Sequence, residues 1–311
     1  MISRADRRLD DWPIGMSSLD VFELELEPAL QAKAEAEIGE PSTLEGKLEC
    51  LNSFRRLISE IPSEVDRIRD TSARNLVRFL RSSKYNLEKA LGRTIDYTRF
   101  FAKNRELDNL RPEQEFVVLQ DLMQVFRDLP GQNGRVVVCL YPKLALSRIT
   151  EDIIKSNPRL LLRANVWMFE RLSLDKQVQV CGLIVLNSFC DVGVTLQISL
   201  SQLVNISERR LAFSFFGIMG FRLGVAMIFQ EPTFLTWFWF IIKQFVSAKI
   251  RDRFSLNGGD YSRIDAVLGD DLRQHLPEPF HSLNTVPVDA SAFASRPSWV
   301  LQQIEQQLQE K

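Results

Sequence analysis

Three short runs of consecutive apolar, β-branched residues leave few folds open to this chain. They are "GRVVVCLYP" (134–142), "VQVCGLIVLNSF" (178–189) and "RLGVAMIF" (222–229). Each is opened or interrupted by Gly and is apolar on successive positions rather than on alternate ones. A strand that is wet on one face alternates; a strand covered on both faces does not. Between and after the runs lie helical patterns: "TEDIIKSNPRLLLRANVWMFERL" (150–172), "SLSQLVNISERRLAFSFFGIM" (199–219) and "PTFLTWFWFIIKQFVSAKIRDRF" (232–254). Pro158 falls inside the first of these and forces a break or a helix start there, whereas Pro232 suits the first turn of the last. Strand, helix, strand, helix, strand, helix implies an α/β fold with a mostly parallel sheet and helical crossovers.

The segment ahead of this pattern has a different texture. Residues 1–42 are mixed and acidic, and "ELELEPALQAKAEAEIGE" reads as helix or loose arm. From 43 to 110 the pattern is a helical module: one helix stops at Pro62, Leu76, Phe79 and Leu80 share a face, and Leu87, Leu91, Ile95 and Tyr97 form another. Asn86 stands where an N-cap is needed, with Lys89 in place of the Glu or Gln of a full capping box. The α/β domain is assigned to 111–285. Residues 286–311, with "SRPSWVLQQIEQQLQE", read as a terminal helix.

"TFLTWFWFIIKQF" (233–245) is the most apolar stretch, and Lys243 follows its unbroken part. It is short of the roughly 20 apolar residues that a membrane span needs. As a helix, Phe234, Phe238, Ile241 and Phe245 gather on one side, and Leu235, Trp239, Ile242 and Val246 widen that surface. A helix packed on a core needs an apolar arc of about 100°, and this arc is broader. The surplus calls for another helix, a ligand, a partner or a lipid surface.

The usual catalytic arrangements are missing from the sequence. There is no GxSxG, no P-loop, no GxGxxG after a strand and no HExxH. Cys50, Cys139, Cys181 and Cys190 form no CxxC pair, and His275 and His281 are the two histidines, so neither a metal site nor a Ser-His-acid triad is indicated. Asp270-Asp271 reads as a solvated loop. A net charge of -1 argues against a dedicated nucleic-acid binder. The charged start "MISRADRRLDDWP" lacks the apolar core of a secretory signal, which makes a cytoplasmic protein the expectation and the Asn205-Ile206-Ser207 acceptor a chance match.

Three stretches carry a resemblance. "NLVRFLRSSKYNLEKAL" (75–91) resembles the leucine-arginine-phenylalanine-leucine-arginine helix of the CRAL-TRIO lipid-binding and lipid-transfer family. "GRVVVCLYP" is similar to the family's first strand, and "FRLGVAMIFQEPTFLTWFWFIIKQFVSAKIRDRFSLNG" (221–258) to its strand, gate helix and closing strand. The likeness spans roughly residues 43–282 and is nearest in shape to the branch holding tocopherol-transfer, retinaldehyde-binding and clavesin proteins.

The resemblance implies a non-enzymatic protein whose α/β cavity holds one small hydrophobic lipid as cargo, with no other cofactor. The aromatic helix would be its movable lid, and the protein a monomer with transient membrane association. Cavity residues expected on this basis are Leu162, Val166, Phe169, Leu183, Val185, Phe213, Phe216, Phe234, Phe238 and Ile241. Trp239 is expected to meet the bilayer. Phosphoinositide-binding positions match Arg222, Lys249 and Arg253, with Lys243 nearby; Lys249 and Arg253, four apart, would share a helical face. Two further basic positions fall at Gly224 and Ser83, which implies a weaker grip. Phe221 replaces an acid used with the Lys243 position by members that hold phosphatidylinositol, which favours a smaller, more apolar cargo. The alternative is an interaction module whose cavity is filled by its own side chains.

Overall fold

The computed structural model describes residues 18–61, 70–107, 123–127, 133–141, 160–190, 217–244, 248–269, 275–277 and 279–280, together with 68, 215, 273, 294 and 295. The chain divides into two compact units, Met1–Arg99 and Phe100–Lys311.

Five helices are described in the first unit: α1 (Ser18–Leu24), α2 (Pro28–Ile38), α3 (Leu44–Ser59), α4 (Ala73–Ser82) and α5 (Leu87–Lys103), the last running past the boundary between units. Their starts follow capping chemistry. Thr43 Oγ1 accepts the Gly46 N–H at 3.1 Å, Ser72 Oγ accepts from Asn75 at 3.3 Å, and Asn86 Oδ1 accepts from Lys89 at 2.9 Å. Leu24, Leu51, Phe54, Leu76, Phe79 and Leu80 meet in one core, so the segment that begins at residue 18 is built into the bundle.

Beside that core lies a buried charge network. Arg81 donates to both carboxylate oxygens of Glu40 at 3.0 Å, and neither side chain is exposed at all. Lys47 Nζ lies 3.2 Å from the same carboxylate and donates to the Leu24 carbonyl at 2.8 Å and to Gln31. Burial pulls the Lys47 ammonium below the ordinary lysine range, and the Glu40 charge opposes that.

The second unit is built on a six-stranded sheet in the order β5-β4-β3-β2-β1-β6. Its strands are β1 (Met123–Phe126), β2 (Val136–Leu140), β3 (Leu183–Ser188), β4 (Leu223–Phe229), β5 (Phe254–Leu256) and β6 (Ala294–Ser295). β2 to β5 run parallel, and β1 is antiparallel to both its neighbours. The described helices are α6 (Leu160–Ser173), α7 (Lys176–Cys181), α8 (Thr233–Ile242), α9 (Ala248–Arg251) and α10 (Arg263–Leu268).

The sequence reading needs three corrections here. Val178–Cys181, expected to open a strand, closes α7 instead. Asp175 Oδ1 caps that helix by accepting the Val178 N–H at 3.0 Å, and Gly182, at φ 91°, turns the chain out of it before β3 starts. A Cβ at Gly182 would lie 2.8 Å from the Arg222 carbonyl oxygen, so only glycine fits. The long helix expected over 232–254 is two shorter ones, α8 and α9, followed by β5. β1, four residues long, was not foreseen, nor was β6, which lies within 286–311 and pairs with β1 in the sheet. The expected helix over 199–219 and the terminal helix within 286–311 lie almost wholly outside the described residues.

Register and alternation sort the strand side chains onto two faces. Phe126, Val137, Cys139, Ile184, Leu186, Met227 and Phe229 pack with Ile264 and Leu268 of α10 and with Leu276 and Phe280. On the opposite face lie Met123, Val125, Val136, Val138, Leu140, Leu183, Val185, Asn187, Ala226, Ile228, Phe254 and Leu256.

Candidate functional site

Chain order decides what covers that second face. β2, β3, β4 and β5 are added in one direction across the sheet. Parallel crossovers are right-handed, so crossovers that advance in one direction lie on one side. α6 and α8, which sit in two of these crossovers, therefore share a face. One contact fixes which: the rings of Trp239 on α8 and Phe254 on β5 are 4.1 Å apart, and Phe254 is in register with Ala226 and hence on the face of Val185.

Leu183 and Val185 thus lie on the face toward α6 and α8, and both are buried. On α6, Val166 and Phe169 are buried and Leu162 is half-buried. Phe169 stacks on Phe221 at 5.9 Å. Phe221, the residue replacing the acid, is therefore part of an aromatic pair, and Lys243 Nζ lies over the Phe240 ring, 4.7 Å from its centroid. Phe234, Phe238 and Ile241 lie on α8, but their side chains are outside the described residues, as are Phe213 and Phe216 altogether. From that last segment Phe215 is described: it is buried against Phe100 and Phe101 at 5.4 and 6.3 Å.

α8 is rooted at its amino end. Gln230 N–H donates to the Gly258 carbonyl at 2.7 Å, and the Glu231 carboxylate accepts the Gly258 N–H at 2.9 Å. Asn257, just after β5, bonds the Ile228 carbonyl through both its backbone N–H (2.9 Å) and its side-chain amide (3.2 Å). Gln230 adopts φ 50°, an uncommon value for a residue with a side chain, at the point where strand becomes helix.

The outer side of α8 differs from the sequence reading. Trp239 is the inward, half-buried ring on Phe254. The rings that face solvent are Trp237, 68% exposed, and Phe240, 57% exposed, one turn apart on the side shared with Thr233, Thr236 and Gln244. The arc count along the helix made the surface broad but could not tell which aromatic edge was outside.

A cationic cluster lies at the amino edge of the parallel strands. Arg135, Arg222 and Arg253 each stand immediately before a strand, β2, β4 and β5 respectively, so the parallel topology brings them to one edge. Arg222 donates to the Val180 carbonyl and Arg253 to the Leu223 carbonyl. Burial, then the charges of Arg222 and Arg135, pull the Arg253 guanidinium below its ordinary range. The crossover from β4 returns the chain to this edge through Lys243 and α9, which carries Lys249.

The expected pairing of Lys249 with Arg253 on one helical face does not hold, because α9 ends at Arg251 and Arg253 belongs to the turn before β5. Arg135, which the structure brings into this cluster, was not singled out from the sequence. Its signal was in the sequence: "GRVVV", "FRLGV" and "DRFSL" each place an Arg directly before the apolar run.

No group of three metal-ligating side chains occurs among the described residues, and no described helix is long and apolar enough to cross a membrane. No disulfide joins any of the four cysteines, and burial pushes the Cys139 thiol far above its ordinary range.

Comparison with known proteins places this geometry. A family model described as CRAL/TRIO domain matches residues 122–278, just over half of the chain. The human protein named alpha-tocopherol transfer protein-like is 27% identical over 237 residues, an alignment that covers 72% of this chain and 64% of that one. Its mouse counterpart is 28% identical with the same coverage. The chain thus spans less than two-thirds of the length of these relatives. The crystal structure of Sfh5 superimposes with a TM-score of 0.44 at 13% identity, over 92% of this chain and 99% of that one.

Proposed function

We propose, from the premise that this chain belongs to the CRAL/TRIO family, that it is a non-enzymatic lipid-binding and lipid-transfer protein. It holds one small hydrophobic lipid between the sheet and the helices α6 and α8. The observation that carries the reading is the character of the face under those helices. Apart from Asn187, the described side chains that β1 to β5 present there are apolar, with Val136, Val138, Leu183, Val185 and Ala226 at the middle of the sheet, a surface without charge against which a hydrocarbon can lie. A retinoid- or tocopherol-like molecule suits such a wall, and each aromatic or branched group it buries contributes about 1.5–3 kcal/mol.

α8 serves as the lid. Its inner edge rests on Phe254 through Trp239, and its outer edge offers Trp237 and Phe240 to a bilayer. Docking is completed by Arg135, Arg222 and Arg253, with Lys243 and Lys249 on the returning chain, against phosphoinositide headgroups. Each basic residue near an anionic surface contributes about 1 kcal/mol. On this reading the protein is cytoplasmic, monomeric and transiently bound to membranes.

The test is native mass spectrometry of the purified protein, followed by extraction and identification of whatever is bound. One lipid per chain is expected. A protein that carries none, and takes up none from vesicles, is an interaction module with a self-filled interior, and the proposal is then wrong.

A further inference from the structure

On the face beneath α6 and α8, the described positions of β1 to β5 include one polar residue. Asn187, in the central strand β3, sits between Leu140 on β2 and Ile228 on β4 in register; the rest of that face on β1 to β5 is Met, Val, Leu, Ala, Ile and Phe. Its carboxamide Oδ1 is shielded from water and accepts no hydrogen bond. Its neighbour on the other face, Ser188, is by contrast fully engaged: its hydroxyl bonds the Tyr261 hydroxyl at 2.7 Å and accepts the Cys190 N–H at 3.1 Å.

Asn is disfavoured in strand interiors, and a buried acceptor with no donor is destabilising. A packing role does not account for it, since Leu or Val would fill the position among such neighbours without a stranded oxygen. From this we infer that Asn187 is the polar anchor of the cargo, and that the cargo is an apolar lipid bearing a hydroxyl group which donates to Oδ1. Turning the carboxamide over would strand an NH₂ in place of the oxygen, and that would need an acceptor. A hydroxyl answers either orientation, a hydrocarbon answers neither, and an ether, which only accepts, leaves Oδ1 stranded in the orientation the structure shows. The inference rests on the lipid-cavity reading above and sharpens it to a ligand class.

A site built around one hydrogen bond discriminates strongly against the analogue that lacks it. The experiment offers the lipid-stripped protein three pairs of probes: hexadecan-1-ol, α-tocopherol and cholesterol, each with its own methyl ether, read by native mass spectrometry. For whichever skeleton binds, wild type should prefer the alcohol by about ten-fold or more, as expected for one buried hydrogen bond. Asn187→Leu should bring the preference to within about two-fold while still binding the ether, and that ether binding shows that the variant is folded. If the leucine variant does not fold, Asn187→Ala is read in the same way. Equal binding of alcohol and ether by wild type, or an unchanged preference in the variant, overturns the assignment of Asn187 and leaves lipid binding standing. Failure of all six probes to bind removes the cavity reading itself, and the anchor with it.

Discussion

Toward α10 the sheet presents Phe126, Met227 and Phe229, and these interlock with Ile264, Leu268, Leu276 and Phe280. Toward α6 and α8 the same strands present Val136, Val138, Val185, Ala226 and Asn187. The same strands thus meet α10 with bulky rings and Met227 at the centre of the packing, and on the other side carry smaller groups at their middle with larger ones, Leu140, Ile228 and Phe254, around them and Asn187 as the one polar residue among the described positions of β1 to β5. The difference teaches that continuous apolar sequence marks a strand as covered on both faces without saying what each covering is made of, and the two faces can be probed separately.

The most severe way to probe the contrast is Phe229→Ala. It removes a fully buried ring stacked on Tyr261 at 4.7 Å and should cost about 3–5 kcal/mol, read as a lower urea midpoint. Ala226→Phe, on the other face, should cost less, about 1–3 kcal/mol for overpacking, yet reduce bound lipid from one per chain toward none. If it destabilises as much as Phe229→Ala and leaves lipid content alone, the two faces are equivalent cores.

The covering helices extend the comparison to the membrane. Arg135→Ala with Arg253→Ala should slow transfer to phosphoinositide-containing vesicles by up to about thirty-fold at low salt, and the deficit should shrink at high salt. Cargo content should not change. Trp237→Ala with Phe240→Ala should slow transfer to neutral vesicles several-fold, with no dependence on salt. Trp239→Ala should behave instead as a packing variant and lower the melting temperature; an insertion defect without destabilisation would contradict its inward position.

The smallest expected effect concerns Tyr261, on the α10 side. Burial pushes its phenol up to about 12 from an ordinary 10.0, against the opposing bond from Ser188. A folded-state pKa above the unfolded value means that this contribution is complete below pH 10 and is lost as pH rises toward 12. The difference in stability between wild type and Tyr261→Phe should therefore be flat to pH 10 and fall above it. A difference that stays constant through pH 12 would show that the phenol is not held neutral by the fold.

Much of the architecture was legible from residues alone. The apolar runs at 136–140, 183–186 and 223–229 became β2, β3 and β4, and Asn86 became a cap. "VQVC" misled because alternating valines suit a strand or a buried turn of helix equally well, and the deciding group was the Asp175 carboxylate outside the run. β1 was too short to rise above its surroundings. For the site, spacing along an assumed continuous helix put Lys249 and Arg253 together; α9 stops at Arg251, and it is the sheet that gathers Arg135, Arg222 and Arg253. Which aromatic of α8 faced inward depended on Phe254, a partner that no helical periodicity could supply.

The buried Glu40–Arg81–Lys47 network bears on the order in which the first unit can assemble. Its members come from just after α2, from α3 and from α4, and two of them also bind the Leu24 carbonyl at the end of α1. Stripping water from any one of these charges before the others arrive is prohibitive, because an isolated buried ion has nothing to replace its hydration. Partial assembly is thus penalised, and the segment 18–40 has no cheap way to peel off alone. Its amide hydrogens should exchange together with those of α4, in a single cooperative opening, and a protease should find its cut sites there only when the whole bundle has let go.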